Sequence, residues 1–81
     1  MNNSTEKIKQ IVENAEHQLS NIDKTSVDSI GMYDITISSL EISLNLSKEA
    51  PHNSENRDLY IGLIYRVSKL REALEIMKSE L

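Results

Sequence analysis

Few side chains in this sequence could do chemistry, and their spacing is not typical of a catalytic or metal site. The sequence has two histidines and no cysteine. Glu13 lies one helical turn before His17, which would allow a weak surface metal pair, whereas His52 is far along the chain. Isolated histidines on polar faces are usually solvated, so we predict no metal site.

The other reactive side chains form no catalytic pattern. The 13 Asp and Glu residues are scattered along the chain and do not suggest a paired general acid and base. The sequence contains no Gly-rich phosphate-binding loop, no P-loop lysine and no nucleophile–base pattern. We therefore predict that the chain is not an enzyme, needs no cofactor and works by binding another protein.

The charge distribution argues against nucleic acid as that partner. The net charge is -4; residues 1–56 carry four basic and nine acidic side chains, and residues 57–81 carry five basic and four acidic ones. An acidic body with a nearly neutral C-terminal segment has no general attraction for a phosphate backbone. We interpret the C-terminal charges as a solvated helix face; they are Lys69, Arg71, Glu72, Glu75 and Lys78.

Length and composition predict one small domain of marginal stability, spanning residues 1–81. A chain this short buries about 60% of its unfolded surface, and here aromatic residues make up 4% of the sequence, with no cysteine available for a disulfide. The N-terminal residues do not resemble a signal peptide, and no apolar run approaches the ~20 residues of a membrane span. These features predict a cytoplasmic protein without membrane insertion, for which partner binding would supply stability.

Periodicity predicts three helices, over about residues 4–21, 27–49 and 56–80, and hence an all-α fold. Asn3 and Glu6 resemble a capping box at the start of the first helix. A polar linker over residues 20–26 follows that helix. The first helix carries one apolar stripe, formed by Ile8, Ile11, Val12, Ala15, Leu19 and Ile22.

The second segment is open to two interpretations. Its apolar residues partly alternate and include β-branched isoleucines, which is typical of a strand. Against a strand, the apolar stretch is long and lacks turn residues until Pro51, which biases Ala50 away from helix. We favour a helix, because a sustained 3–4 repeat runs through it, formed by Ile30, Tyr33, Ile37, Leu40 and Leu44.

The third segment follows a polar turn over residues 52–56 and has the clearest helical seam. Its length matches that of the second helix, so the two should form an antiparallel hairpin. With the first helix, they would make a small three-helix unit. The seam consists of Leu59, Leu63, Val67, Leu70, Leu74, Met77 and Leu81.

The second and third helices have more apolar residues than a hairpin can bury. On a helical wheel, each has a second apolar face opposite its seam. The first helix could cover one of these faces, but it cannot easily cover both. We predict that at least one binds a partner protein, through Ile35, Ile42 and Leu46 on the second helix and Ile61, Tyr65 and Ile76 on the third. We expect Tyr60 instead to pack on the second helix.

The hairpin residues also resemble a family. The stretch Leu40-Glu41-Ile42-Ser43-Leu44, a polar turn, Tyr60 and an apolar helix ending are similar to the YscE/PscE/EscE co-chaperones of type III secretion. The resemblance covers about half of the chain, and its helix ending comprises Leu70, Ala73, Leu74, Ile76 and Met77.

The resemblance implies a small helical hairpin in the bacterial cytoplasm, acting in a hetero-oligomer. Its partners would be a tetratricopeptide-like chaperone and the needle subunit, which the complex keeps from polymerising before export. The longer N-terminal segment and the Pro51 turn depart from the family pattern. Needle subunits are themselves helical hairpins and remain a rival identity. An alternative function is that of a small acidic immunity or inhibitor protein, which neutralises its target by direct binding.

Overall fold

The computed structural model describes residues 4–47 and 54–81, which form three α-helices. Helix α1 spans Ser4–Leu19, α2 spans Val27–Ser47 and α3 spans Ser54–Ser79. No strand occurs within these two ranges, so the second segment is a helix and the alternating pattern in it does not mark a strand. The predicted all-α, three-helix fold is confirmed.

The helix ends differ from the predicted ones by a few residues. Helix α1 stops at Leu19 because Ser20 and Asn21 form a turn, in which both side chains donate to the carbonyl oxygen of His17. Helix α3 begins at Ser54, so residues 54–56 are helical and do not belong to the predicted polar turn. Asn3, residues 48 and 49 of the predicted second helix, Ala50, Pro51 and His52 lie outside the described residues.

The linker between α1 and α2 is held by short-range polar contacts. The carboxylate of Asp23 accepts hydrogen bonds from the backbone N–H and the hydroxyl of Thr25, at 3.0 and 2.6 Å. Ser26 Oγ accepts a hydrogen bond from the backbone N–H of Ser29 and so caps α2 at its N-terminus. These contacts satisfy backbone donors at the point where the chain reverses direction.

The helices run up, down and up. Tyr60 near the start of α3 contacts Leu44 near the end of α2, whereas Lys78 near the end of α3 contacts Asp34. Helices α2 and α3 are therefore antiparallel, as the predicted hairpin requires. Tyr33 in the first half of α2 donates a 2.6 Å hydrogen bond to the carbonyl of Ala15 near the end of α1, so α1 and α2 are antiparallel as well. The bundle measures 42 × 18 × 15 Å.

One core fills the space between the three helices. Two residues predicted for it are exposed: Ile11, at the edge of the α1 stripe, and Leu81, which follows the end of α3. Leu19, Ile22, Leu59 and Tyr60 pack against the core at its margins. The buried apolar residues are Ile8, Val12, Ala15, Ile30, Tyr33, Ile37, Leu40, Leu44, Leu63, Val67, Leu70, Leu74 and Met77.

Helix α1 joins the inner faces of α2 and α3 and covers neither of their second apolar faces. The apolar stripe of α1 is narrow. Its residues Ile8, Val12 and Ala15 pack against the seams of α2 and α3, where those two helices also contact each other. The small side chain of Ala15 allows the Tyr33 hydroxyl to reach the α1 backbone. Because all three stripes meet in one core, the outer faces of α2 and α3 stay exposed.

Two isoleucines of α2 allow a matched test of this burial pattern. Ile37 is fully buried and Ile35, two residues earlier in the same helix, is 68% exposed. We expect Ile37→Ala to lower the free energy of unfolding by about 2–5 kcal/mol, because it leaves a cavity in the core. We expect Ile35→Ala to change it by no more than about 0.5 kcal/mol. Urea unfolding of both variants measures this difference, and equal losses would show that the burial assignment is wrong.

Candidate protein-binding surfaces

All six residues predicted to contact a partner are on the surface, with exposed fractions of 56–71%. Three of them, Ile35, Ile42 and Leu46, lie on the side of α2 that points away from the core. The exposed Met32 and the small Ser39 continue the same line at alternating steps of three and four residues. We call these five residues the α2 stripe.

The α2 stripe is bordered by uncharged residues. The positions that flank it are occupied by Gly31, Thr36, Ser38, Ser43 and Asn45. The adjoining charged residues, Asp34 and Glu41, turn toward α3 and are bound there by an arginine. The stripe is therefore a narrow apolar strip without charges along its edges.

A second apolar surface lies on α3, near the end of the hairpin where α2 finishes. The predicted residues Ile61 and Tyr65 are joined there by Ile64, which is 43% exposed. We call these three residues the tip patch. Ile64 was missed in the sequence because it borders the seam on the helical wheel, yet its spacing of three residues from Ile61 places it beside the outer face. Lys69 Nζ lies 5.4 Å from the centre of the Tyr65 ring, a cation–π contact at the edge of the patch.

An open groove of about 360 Å³ between α2 and α3 adjoins the tip patch. Ile64 forms part of its wall, so the patch and the groove are continuous. Tyr60 Oη donates a 2.6 Å hydrogen bond to the Leu44 carbonyl across the groove, and the expected packing of Tyr60 on the second helix is confirmed. The groove is lined by Glu41, Leu44, Asn45, Tyr60, Ile64, Val67, Ser68 and Arg71.

Ile76 lies apart from the other predicted residues of α3. Eleven residues separate it from Tyr65, or about 16 Å along the helix, and the polar Ser68 and Glu72 lie between them on the outer face. Ile76 instead borders a small cleft at the opposite end of the bundle, beside Leu19 at the end of α1. The six predicted residues thus occupy three separate places rather than one surface.

Arg71 ties α2 to α3 along one edge of the groove. Its guanidinium donates two hydrogen bonds to Glu41, at 3.0 and 2.8 Å, and one to Asp34, at 2.9 Å. Lys78 Nζ also donates to Asp34, at 3.1 Å. Of the charges interpreted as a solvated face, Arg71 is half-buried between the helices, with 26% of its side chain exposed, whereas Glu75 and Lys78 are exposed as expected and also form ion pairs. The two cations hold the pKa of Asp34 below its ordinary value.

A second ion pair fixes α1 to the hairpin. Arg66 on α3 donates two hydrogen bonds to the carboxylate of Glu16, one of them 2.9 Å long from Nε. This fork geometry suits a guanidinium and a carboxylate. It also holds the pKa of Glu16 below its ordinary value. Together with the hydrogen bond from Tyr33 to Ala15, this ion pair fixes the position of α1 along the bundle axis relative to α2 and α3.

The described residues offer no cluster for metal chemistry. Within them, no group of three or more His, Asp or Glu side chains is placed to hold a metal ion. Glu13 and His17 are both on the exposed side of α1.

None of the helices in residues 4–47 and 54–81 combines the length and the apolar character needed to cross a bilayer.

Comparison of the chain with protein-family models, with curated proteins and with solved structures finds no match. The candidate site is a three-helix unit that presents two apolar surfaces, the α2 stripe and the tip patch.

The ion pairs predict how stability depends on pH. The pKa values of Asp34 and Glu16 are lower in the folded chain than in the unfolded one, so the unfolded chain binds more protons in acid. Stability from these groups is therefore present at neutral pH and lost as the pH falls below about 4. We expect the variant with Asp34→Asn and Glu16→Gln to be less stable than the native chain at pH 7 and to lose less stability between pH 7 and pH 3.

Urea unfolding at the two pH values gives this difference. Glu72→Gln is the control, because the Glu72 side chain is 65% exposed and lies 3.7 Å from Lys69 in a surface pair, which contributes little. An acid-induced loss as large in the double variant as in the native chain would contradict the assignment of these two ion pairs.

Proposed function

We propose that this chain is a non-enzymatic co-chaperone that binds a partner protein through its exposed apolar surface. The observation that carries the proposal is the amount of that surface. In the described residues, eleven large apolar side chains are more than 40% exposed. Seven of these side chains form the α2 stripe and the tip patch, and contiguous apolar patches on a small protein usually mark a protein-binding site.

The nature of the partner is proposed from the family resemblance. The sequence similarity to the YscE/PscE/EscE co-chaperones supports a tetratricopeptide-like chaperone and a type III needle subunit as partners, in the bacterial cytoplasm. A small helical unit with surplus apolar surface suits that work, because the needle subunit must be kept from self-assembly. The complex would also bury side chains that the free chain leaves in water, which stabilises the folded state.

We assign the partner to the tip patch and its groove. Tyr65 gives a large contact area with a polar end, and aromatic residues of this type are enriched in interface cores. The groove provides a concave seat beside it, with the polar Asn45 and Ser68 in its lining. An apolar centre with a polar rim is the usual arrangement of a specific interface.

The competing function, an acidic immunity protein, requires free carboxylates for steering onto a basic target. In the described residues, five carboxylates are instead engaged in ion pairs that link helices or join residues of α3, namely those of Glu16, Asp34, Glu41, Glu72 and Glu75. Fewer acidic groups are thus left for a target than the composition suggests. This observation favours the co-chaperone.

Substitution in the tip patch tests the proposal. We expect Ile61→Asp with Tyr65→Asp to abolish co-purification of the partner from the native host, because the substitutions would bury two charges in the interface. Circular dichroism should show unchanged helix content, since both residues are on the surface. The control is Ile11→Asp, which places one charge on an exposed apolar position of α1 and should leave binding intact. Retention of the chaperone and needle subunit by the tip-patch variant would contradict the assignment.

The salt dependence of binding separates the two functions. A complex formed by apolar surfaces should change little in affinity between 50 and about 500 mM salt, because screening acts on charges. An immunity protein steered by acidic groups should bind much more weakly at the higher concentration. Isothermal titration with the purified partner measures this, and a steep decline in affinity would favour the immunity protein.

A further inference from the structure

The α2 stripe is not used by the partner site assigned above, and its geometry indicates a helix as its occupant. Met32, Ile35, Ser39, Ile42 and Leu46 follow one another at steps of 3, 4, 3 and 4 residues. This is the spacing of a coiled-coil seam, in which each side chain enters a hole on a facing helix. The stripe is about 21 Å long, the length of four helical turns. It points directly away from the core, with its apolar members 62–71% exposed.

The flanking residues indicate which helix that is. In coiled coils, charged residues beside the seam select a particular partner. The residues beside the α2 stripe are Gly31, Thr36, Ser38, Ser43 and Asn45, all uncharged. A different protein would find no charge there to recognise. A second copy of α2 brings the same uncharged flanks, so the acidic chain meets itself along this strip without like charges coming together.

The residues of the stripe also favour one orientation. A parallel, in-register pair would place Ser39 against Ser39 and Asp28 against Asp28 across the seam. In an antiparallel pair, Ile35 of one copy can face Leu46 of the other, and Ser39 can face Ile42. The second arrangement sets small residues against large ones and keeps the two Asp28 carboxylates at opposite ends. The two-fold axis then passes between residues 40 and 41.

We propose that the chain forms a symmetric homodimer through the α2 stripe, with the two α2 helices antiparallel. In this register the described residues bury six large apolar side chains, those of Ile35, Ile42 and Leu46 from each copy, and both tip patches stay open. The position that faces Met32 is residue 49, which lies outside the described residues. An interface in which the same surface of both copies pairs about a two-fold axis is the commonest form of oligomer. This dimer does not depend on the proposed function, since the residues of the α2 stripe belong neither to the tip patch nor to the lining of its groove.

Sedimentation equilibrium of the full chain tests the dimer. At a chain concentration of about 100 µM, at which an interface with a micromolar dissociation constant is mostly associated, we expect a mass twice the 9.2 kDa of the monomer. Ile42→Asp should raise the dissociation constant by about 100-fold or more, because it buries a charge at the seam. The control Ile61→Asp should leave the dimer intact. A monomeric native chain, or a dimer broken by Ile61→Asp but not by Ile42→Asp, would overturn the proposal.

Ser39→Leu gives a test that misfolding cannot imitate. It adds an apolar side chain at the one small position of the stripe, so we expect the dimer to become about tenfold tighter or more. The helix content by circular dichroism should stay the same. A weaker or unchanged dimer would count against the seam.

Cysteine cross-linking tests the orientation, since the native sequence has no cysteine. In the antiparallel pair, Ile35 of one copy is adjacent to Leu46 of the other, whereas the two Ile35 residues are about 16 Å apart along the axis. A mixture of Ile35→Cys and Leu46→Cys chains should therefore form the mixed disulfide under mild oxidation, and Ile35→Cys alone should not cross-link. Efficient cross-linking of Ile35→Cys to itself would overturn the antiparallel arrangement.

Discussion

The structure depends on one constraint: α2 and α3 carry apolar side chains on two opposite sides, and a three-helix core can cover one side of each. The side that is covered is the one on which the Tyr33 and Tyr60 hydroxyls find backbone carbonyl partners on neighbouring helices. The other side stays in water. Exposed isoleucines and leucines cost little in the folded chain itself, because they are also exposed when it unfolds, but they favour any association that removes them from water.

Polar contacts between the helices determine how the buried apolar faces of α1, α2 and α3 align with one another. Apolar packing has little directional preference, so a small core without Trp or Phe could slide along its axis. Arg71 joins Asp34 and Glu41 of α2, and Arg66 joins Glu16 of α1. Each arginine thus fixes the axial position of one helix relative to α3, Arg71 that of α2 and Arg66 that of α1. The same contacts pair three surface carboxylates with arginines, so fewer unpaired acidic groups face the solvent than the composition indicates.

The sequence predicted the helices and the inner seam well, because a 3.6-residue period is a local property that each segment displays on its own. It failed where the answer depends on contacts between segments. Ile11 matched the α1 stripe, yet it is exposed because α1 is buried only along a narrow line through Ile8, Val12 and Ala15. Arg71 looked like a surface charge, since its partners lie about 30 residues earlier in the chain. The outer residues were predicted to lie opposite the seams, and the sequence left open whether α1 covers one of the two outer faces. That both faces are exposed, and that their residues divide between the α2 stripe, the tip patch and Ile76, required the three-dimensional arrangement.

The central claim is that the outer isoleucines are in water while the inner ones are not. Methyl NMR with a soluble gadolinium chelate measures this directly, at a dilution at which the chain is monomeric. The signals of Ile35, Ile42 and Ile61 should broaden strongly, and those of Ile8, Ile30 and Ile37 should change little, in keeping with their burial. Equal protection of the two sets of methyl groups would contradict the account.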